Sequence, residues 1–75
     1  MLEDGVSREG LELVALGMAQ FGIVDAIRMA AKMRGTLGVK VDWHDCSSVL
    51  DSLARAGRLL RDHIDNGGRT YYRAA

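Results

Sequence analysis

Asp45-Cys-Ser-Ser-Val-Leu-Asp-Ser-Leu-Ala-Arg-Ala-Gly57, followed at once by Arg58-Leu-Leu-Arg-Asp-His-Ile-Asp-Asn-Gly-Gly-Arg-Thr-Tyr-Tyr-Arg73, is the stretch on which the fold turns. Its first half has a helical period: Cys46, Val49, Leu50 and Leu53 stand at i, i+3, i+4 and i+7, which puts four apolar side chains on one helix face. Asp45 is the expected N-cap and Gly57 the stop, giving a helix over 46–56. The second half changes period. Asn66-Gly67 supplies the positive φ of a tight turn and Thr70, Tyr71 and Tyr72 favour strand, so residues 58–74 read as a β-hairpin.

Working back toward the N-terminus, Val39-Lys-Val-Asp42 alternates apolar with polar as a short strand would, and Trp43 is expected to plug the core beside it. Gly35-Thr-Leu-Gly38 breaks the helical pattern before it. Upstream, Ser7 can cap a helix over 8–20 whose apolar residues include Leu11, Val14, Ala15 and Met18, with Leu13, Leu16 and Phe21 widening the stripe. Ile23, Ala26, Ile27, Ala30 and Met33 form a second stripe, over 23–34. One long helix through Gly22 is the competing reading, since no proline forbids it. Two helices are preferred because so small a chain must fold back to enclose a core. The expected core includes Leu16, Ile23, Ile27, Trp43, Val49, Leu50, Leu53 and Leu60.

Composition bounds what such a chain can be. It has 75 residues, 48% hydrophobic and 27% charged, with no proline, which is enough for a single domain over 1–75. A chain of this length buries only about 60% of its unfolded surface, so nearly every apolar side chain serves one core. The single cysteine, Cys46, excludes an internal disulfide and suits a reducing cytoplasm. The apolar runs stop short of the ~20 residues that span a bilayer, and the N-terminus, Met1-Leu-Glu-Asp-Gly5, is acidic, so no signal peptide or membrane anchor is expected. Ten basic residues balance ten acidic ones, but unevenly. Residues 1–53 hold five basic and eight acidic side chains, whereas 54–75 hold Arg55, Arg58, Arg61, Arg69 and Arg73 against Asp62 and Asp65. An all-arginine basic end suits phosphates and guanine edges.

Helix, helix, short strand, helix and hairpin is the order of an α+β winged helix-turn-helix domain with three helices and a C-terminal wing. Three motifs carry a resemblance: Leu13-Val-Ala-Leu with Phe21-Gly-Ile, then Val49-Leu-Asp-Ser-Leu-Ala-Arg-Ala-Gly57, then Gly67-Gly-Arg-Thr-Tyr-Tyr-Arg73. The chain resembles the DNA-binding domain of the PadR-type transcriptional regulators. It departs from that pattern at Asp45, Cys46, Ser47 and Ser48, where the family usually has threonine, leucine, tyrosine and proline. No residues beyond Arg73 match the family's C-terminal dimerisation helix, so a homodimer is expected on helix one instead.

The resemblance implies that the third helix enters the major groove of double-stranded DNA and that the wing follows phosphates. Ser47, Ser48, Ser52 and Arg55 would then face DNA, with Arg61, Arg69 and Arg73 around the wing. No enzyme, metal or cofactor is expected. Asp42-Trp-His-Asp-Cys46 holds one cysteine and one histidine, short of a convergent ligand set, and no nucleophile and base stand at motif spacing. Two functions of different class stay open: a small DNA-binding regulator, and a winged-helix module that docks on a protein. The feature that separates them is whether the five C-terminal arginines form one surface unopposed by acids.

Overall fold

The computed structural model describes residues 7–75; the acidic N-terminal stretch and its charges lie outside them. Helix α1 spans Arg8–Ala19, α2 Ala26–Lys32 and α3 Trp43–Arg55, and strands β1 (Leu59–Ile64) and β2 (Thr70–Ala74) pair antiparallel. Ser7 caps α1, its hydroxyl accepting from the Gly10 amide at 3.0 Å. The helix ends before Gly22, so the single long helix does not form. Val24 is instead drawn into the sheet. Its amide donates to the Tyr72 carbonyl at 2.9 Å and its carbonyl accepts from the Tyr72 amide at 2.8 Å, making an isolated bridge on the far side of β2 from β1. Three helices closed by a two-stranded wing make this an α+β winged helix-turn-helix fold.

That bridge corrects the second apolar stripe. Extended backbone sends alternate side chains to opposite sides, so Val24 enters the core and Ile23 stays 40% exposed. Asp25 then caps α2, and the rotation this sets turns Ala26, Met29 and Met33 inward and leaves Ile27 outside. The helix widens into a π-helical turn over Met33–Leu37, ending at Gly38 with φ 67. No strand follows. Residues 39–42 are irregular, although the expected alternation survives as burial, with Val41 inside and Lys40 out.

Helix α3 starts three residues before the expected point because Asp42, not Asp45, is the cap. The Asp42 carboxylate accepts from the His44 amide at 2.9 Å, and Asp45 falls in the first turn, where a negative charge suits the helix dipole. Trp43 is therefore the first helical residue and lies 46% exposed rather than plugging the core. Cys46, Val49, Leu50 and Leu53 are fully inside, as their spacing requires. Gly57, at φ 77, closes the helix, and Arg58 donates to the Leu53 carbonyl at 2.9 Å.

Leu59 enters the core and Leu60 faces out, the reverse of the expectation for Leu60. The register pairs Leu59 with Ala74, Arg61 with Tyr72 and His63 with Tyr71, with a bulge at Asp62. Tyr72 is buried on the helix side, while Tyr71 stacks on His63 on the outer face, ring centroids 4.6 Å apart. The turn is organised by Asp65, whose Oδ1 accepts from the amides of Gly67 at 2.9 Å and Arg69 at 3.0 Å. Its Oδ2 accepts from the Tyr71 hydroxyl at 3.0 Å, and the positive φ falls on Gly68 rather than Gly67. Leu11, Ala15, Val24, Met29, Met33, Val49, Leu50, Leu53 and Leu59 make one core between the helices and the sheet; Leu16 is only partly covered.

Candidate nucleic-acid interface

With one face of α3 committed to the core, its other face presents small polar groups. Ser48 is exposed, and Ser47 and Ser52 are half-buried beside it. Arg55 is at the C-terminal end, where a cation favours the helix dipole. At the opposite end, Ser47 and Trp43 line a cleft of about 280 Å³ together with Gly67, Gly68 and Arg69 of the wing tip. The helix face and the wing tip thus open on common ground, as docking against a single surface requires. Ile27 and Trp43 border this cleft and a second one beside it, where Arg34 and Lys40 stand. The Trp43 ring stacks on His44 with centroids 3.8 Å apart.

The arginines are not unopposed. Asp51, on the outer side of α3, takes two of them: its Oδ2 lies 2.9 Å from Arg55 Nη2 and its Oδ1 accepts from Arg61 Nη2 across to the wing. Arg58 stands 3.7 Å from Glu12, Arg69 3.5 Å from Asp25 and Arg73 3.4 Å from Asp62. Every one of these guanidinium groups is at least 43% exposed, and except where Arg69 meets the buried Asp25 each pair is solvated. Exposed pairs of this kind are weak and yield to a better anion. The hydrogen bond to Asp51 raises the Arg61 pKa further above its already high value.

Asp25 is different in being buried, at 1% exposure. One carboxylate caps α2 through the Arg28 amide at 3.4 Å, lies 3.8 Å from Arg28 Nε and reaches Arg69 at the wing tip. It therefore ties the wing to the helix-turn-helix. Asp65 does the same work inside the turn, and the amide of Arg69 chief among its donors holds its carboxyl below the usual range. Cys46 points into the core, and burial first, then Asp45 and Asp42, push its thiol up to about 11. His44 lies on Trp43, so the histidine and the cysteine do not converge on a common ligand position.

Asp51 and Asp25 are the residues whose part was not visible in the sequence. Asp51 had a local signal in its i, i+4 spacing to Arg55, but Arg61 reaches it only through the hairpin. Asp65 could have been found: an aspartate two residues before glycine in a turn is an Asx-turn pattern. Among the described residues no helix is long and apolar enough to cross a membrane.

Solved structures share this fold, among them these two. A transcriptional regulator from Clostridium thermocellum, Cth-833, superposes with a TM-score of 0.79 at 17% identity, over 100% of this chain and 75% of its own. The complex structure of hsRosR-S4 superposes with a TM-score of 0.76 at 12% identity, over 96% of this chain and 60% of its own. At such identities the likeness establishes the fold alone. No protein-family model matches the chain, and no curated protein matches it in sequence.

Proposed function

We propose that this chain is a small transcriptional regulator of PadR-like type that binds double-stranded DNA in the cytoplasm and acts by occupying an operator. The observation that carries the reading is the cleft shared by Ser47 of α3 and Gly67, Gly68 and Arg69 of the wing tip: a duplex that meets one meets the other. In this reading α3 lies in the major groove, with Ser47, Ser48 and Ser52 against base edges or phosphates and Arg55 on a base edge. Arg61, Arg69 and Arg73 exchange their carboxylate partners for phosphates. The regulator acts as a homodimer on α1, since two-fold operators are read by paired recognition helices. No metal, cofactor or catalytic step enters.

A second reading, a winged-helix module that docks on a protein, draws on the charge pattern. All five C-terminal arginines have an acid within reach, which is a poor start for a polyanion and suits a partner of mixed charge. Titration of fluorescently labelled random duplex at several salt concentrations separates the two. Salt-dependent affinity in the ~10⁻⁴–10⁻⁶ M range of non-specific binders supports the regulator. Arg69→Ala and Arg73→Ala should then weaken every duplex alike and each lower the salt slope by about one, while Arg55→Ala acts on the preferred site only. A wild-type protein with no salt-dependent affinity rejects the regulator and leaves the docking module.

A further inference from the structure

Helix α1 has a second apolar stripe that the fold does not use. Leu11, Ala15 and Ala19 are its core face. Glu9, Leu13 and Gly17 recur every four residues on another side and Phe21 follows just past the end of the helix, with Leu13 71% and Phe21 93% exposed. Leu13, Val14, Gly17, Met18, Phe21 and Leu37 line an open groove of about 280 Å³ between α1 and the π-helical turn, and Lys32 stands in its wall.

Gly17, on the groove's floor, is unexplained by the single chain. A glycine inside a helix weakens it relative to alanine. Gly17 has no positive φ, and a Cβ added there would meet nothing within 4 Å. What a missing Cβ does serve is the close approach of another backbone. The charges at the groove's ends say whose. Glu9 is exposed at the start of α1, Lys32 lines the groove beside Met18 and Phe21, and neither has an ion partner among the described residues. By contrast, Glu12 is taken by Arg58 and Arg28 by Asp25. An acid at one end of a groove and a base at the other are self-complementary under a two-fold axis.

We propose that this face binds a second copy of the chain, the two α1 helices crossing antiparallel at Gly17. Leu13 and Phe21 lie four residues to either side of the crossing, so Phe21 of each protomer seats against the partner's Leu13 and Leu37. Glu9, about 12 Å from the crossing along the helix axis, then reaches the partner's Lys32. The apolar side chain covered is on the order of 400 Å² per protomer, about half of one side of a standard interface, so the dimer is a weak and reversible one. This gives the homodimer of the proposed regulator its contact, yet it does not depend on DNA.

Sedimentation velocity without DNA, from about 1 to 200 µM, tests it. Wild type should pass from monomer to dimer across that range. Gly17→Leu should fold with an unchanged or higher melting temperature, because its side chain points into open space, and should remain monomeric throughout. Phe21→Ala, at an exposed position, should weaken association at least about tenfold. Glu9→Lys and Lys32→Glu should each weaken it, and the two together should restore it. A wild type that stays monomeric, a folded Gly17→Leu that dimerises as wild type does, or a charge swap that restores nothing overturns the proposal. Because no DNA is present, a monomer that still binds duplex rejects this contact alone, and a dimer that ignores duplex rejects the regulator alone.

Discussion

If duplex DNA is the partner, as proposed, replacing Asp51 with asparagine should tighten its binding. The Asp51 carboxylate sits on the outer side of α3 and is shared by Arg55 and Arg61, so the three side chains together carry one net positive charge. A phosphate that recruits either arginine must first displace that carboxylate. Exposed ion pairs typically hold their partners by a factor of only ~1.4–5 each, so releasing both is worth ~2–30-fold in affinity. The local charge rises from plus one to plus two, and the salt slope should steepen by up to about 0.9 for the extra phosphate neutralised. Asparagine keeps the size of the side chain, and Asp51 is outside the core, so the melting temperature should change little. Fluorescence anisotropy with one labelled duplex, from about 50 to 200 mM salt, reads affinity and slope together. If the variant binds no tighter, with an unchanged slope and an intact fold, then α3 and β1 are not the surface that DNA meets.

Other expectations follow from the same contacts. Leu59→Ala should cost ~2–5 kcal/mol in chemical denaturation, as should Leu53→Ala, whereas Leu60→Ala, at a side chain 41% exposed, should cost well under half of that; equal losses at 59 and 60 would refute the strand register. The Cys46 thiol is pushed up to about 11 from about 9, so the folded state favours the protonated form; stability should be whole below pH ~8.5 and decline as pH rises toward 11, and Cys46→Ala should shrink that alkaline limb of the melting curve, leaving the part that the buried Tyr72, also raised, contributes. The Asp65 carboxyl is held low, so its contribution to the wing turn is present above the ordinary carboxylate range and is lost as pH falls below it; the protection of the Gly67 and Arg69 amides from exchange, measured against the intrinsic rate at each pH, should fall in acid, and Asp65→Ala should show the reduced protection already at neutral pH.

The succession of three helices and a hairpin, and the core face of α3, were legible in the sequence alone, whereas the short strand expected over 39–42 did not form. Cys46, Val49, Leu50 and Leu53 announce a helix face through their spacing, Gly57 ends the helix because it alone adopts the positive φ cheaply, and the Asp65–Gly68 segment can only reverse the chain. These are interactions between neighbours in the chain, so the chain's own pattern carries them. What tertiary structure decided is which of two apolar neighbours goes inside. The bridge between Val24 and Tyr72 fixes the rotation of α2, and that contact spans the whole domain, so Ile23 and Ile27 stay out while Met29 goes in. Leu59 rather than Leu60 faces the helices because the pairing of β1 with β2 sets the pleat, and a shift of one residue exchanges the two faces of a strand. The same holds for charge. The reversal of sign along the chain is legible from composition, but its neutralisation is not: Asp51 meets Arg61, Asp25 meets Arg69 and Glu12 meets Arg58 only because folding brings distant segments within 4 Å, the range over which a carboxylate can hold a guanidinium.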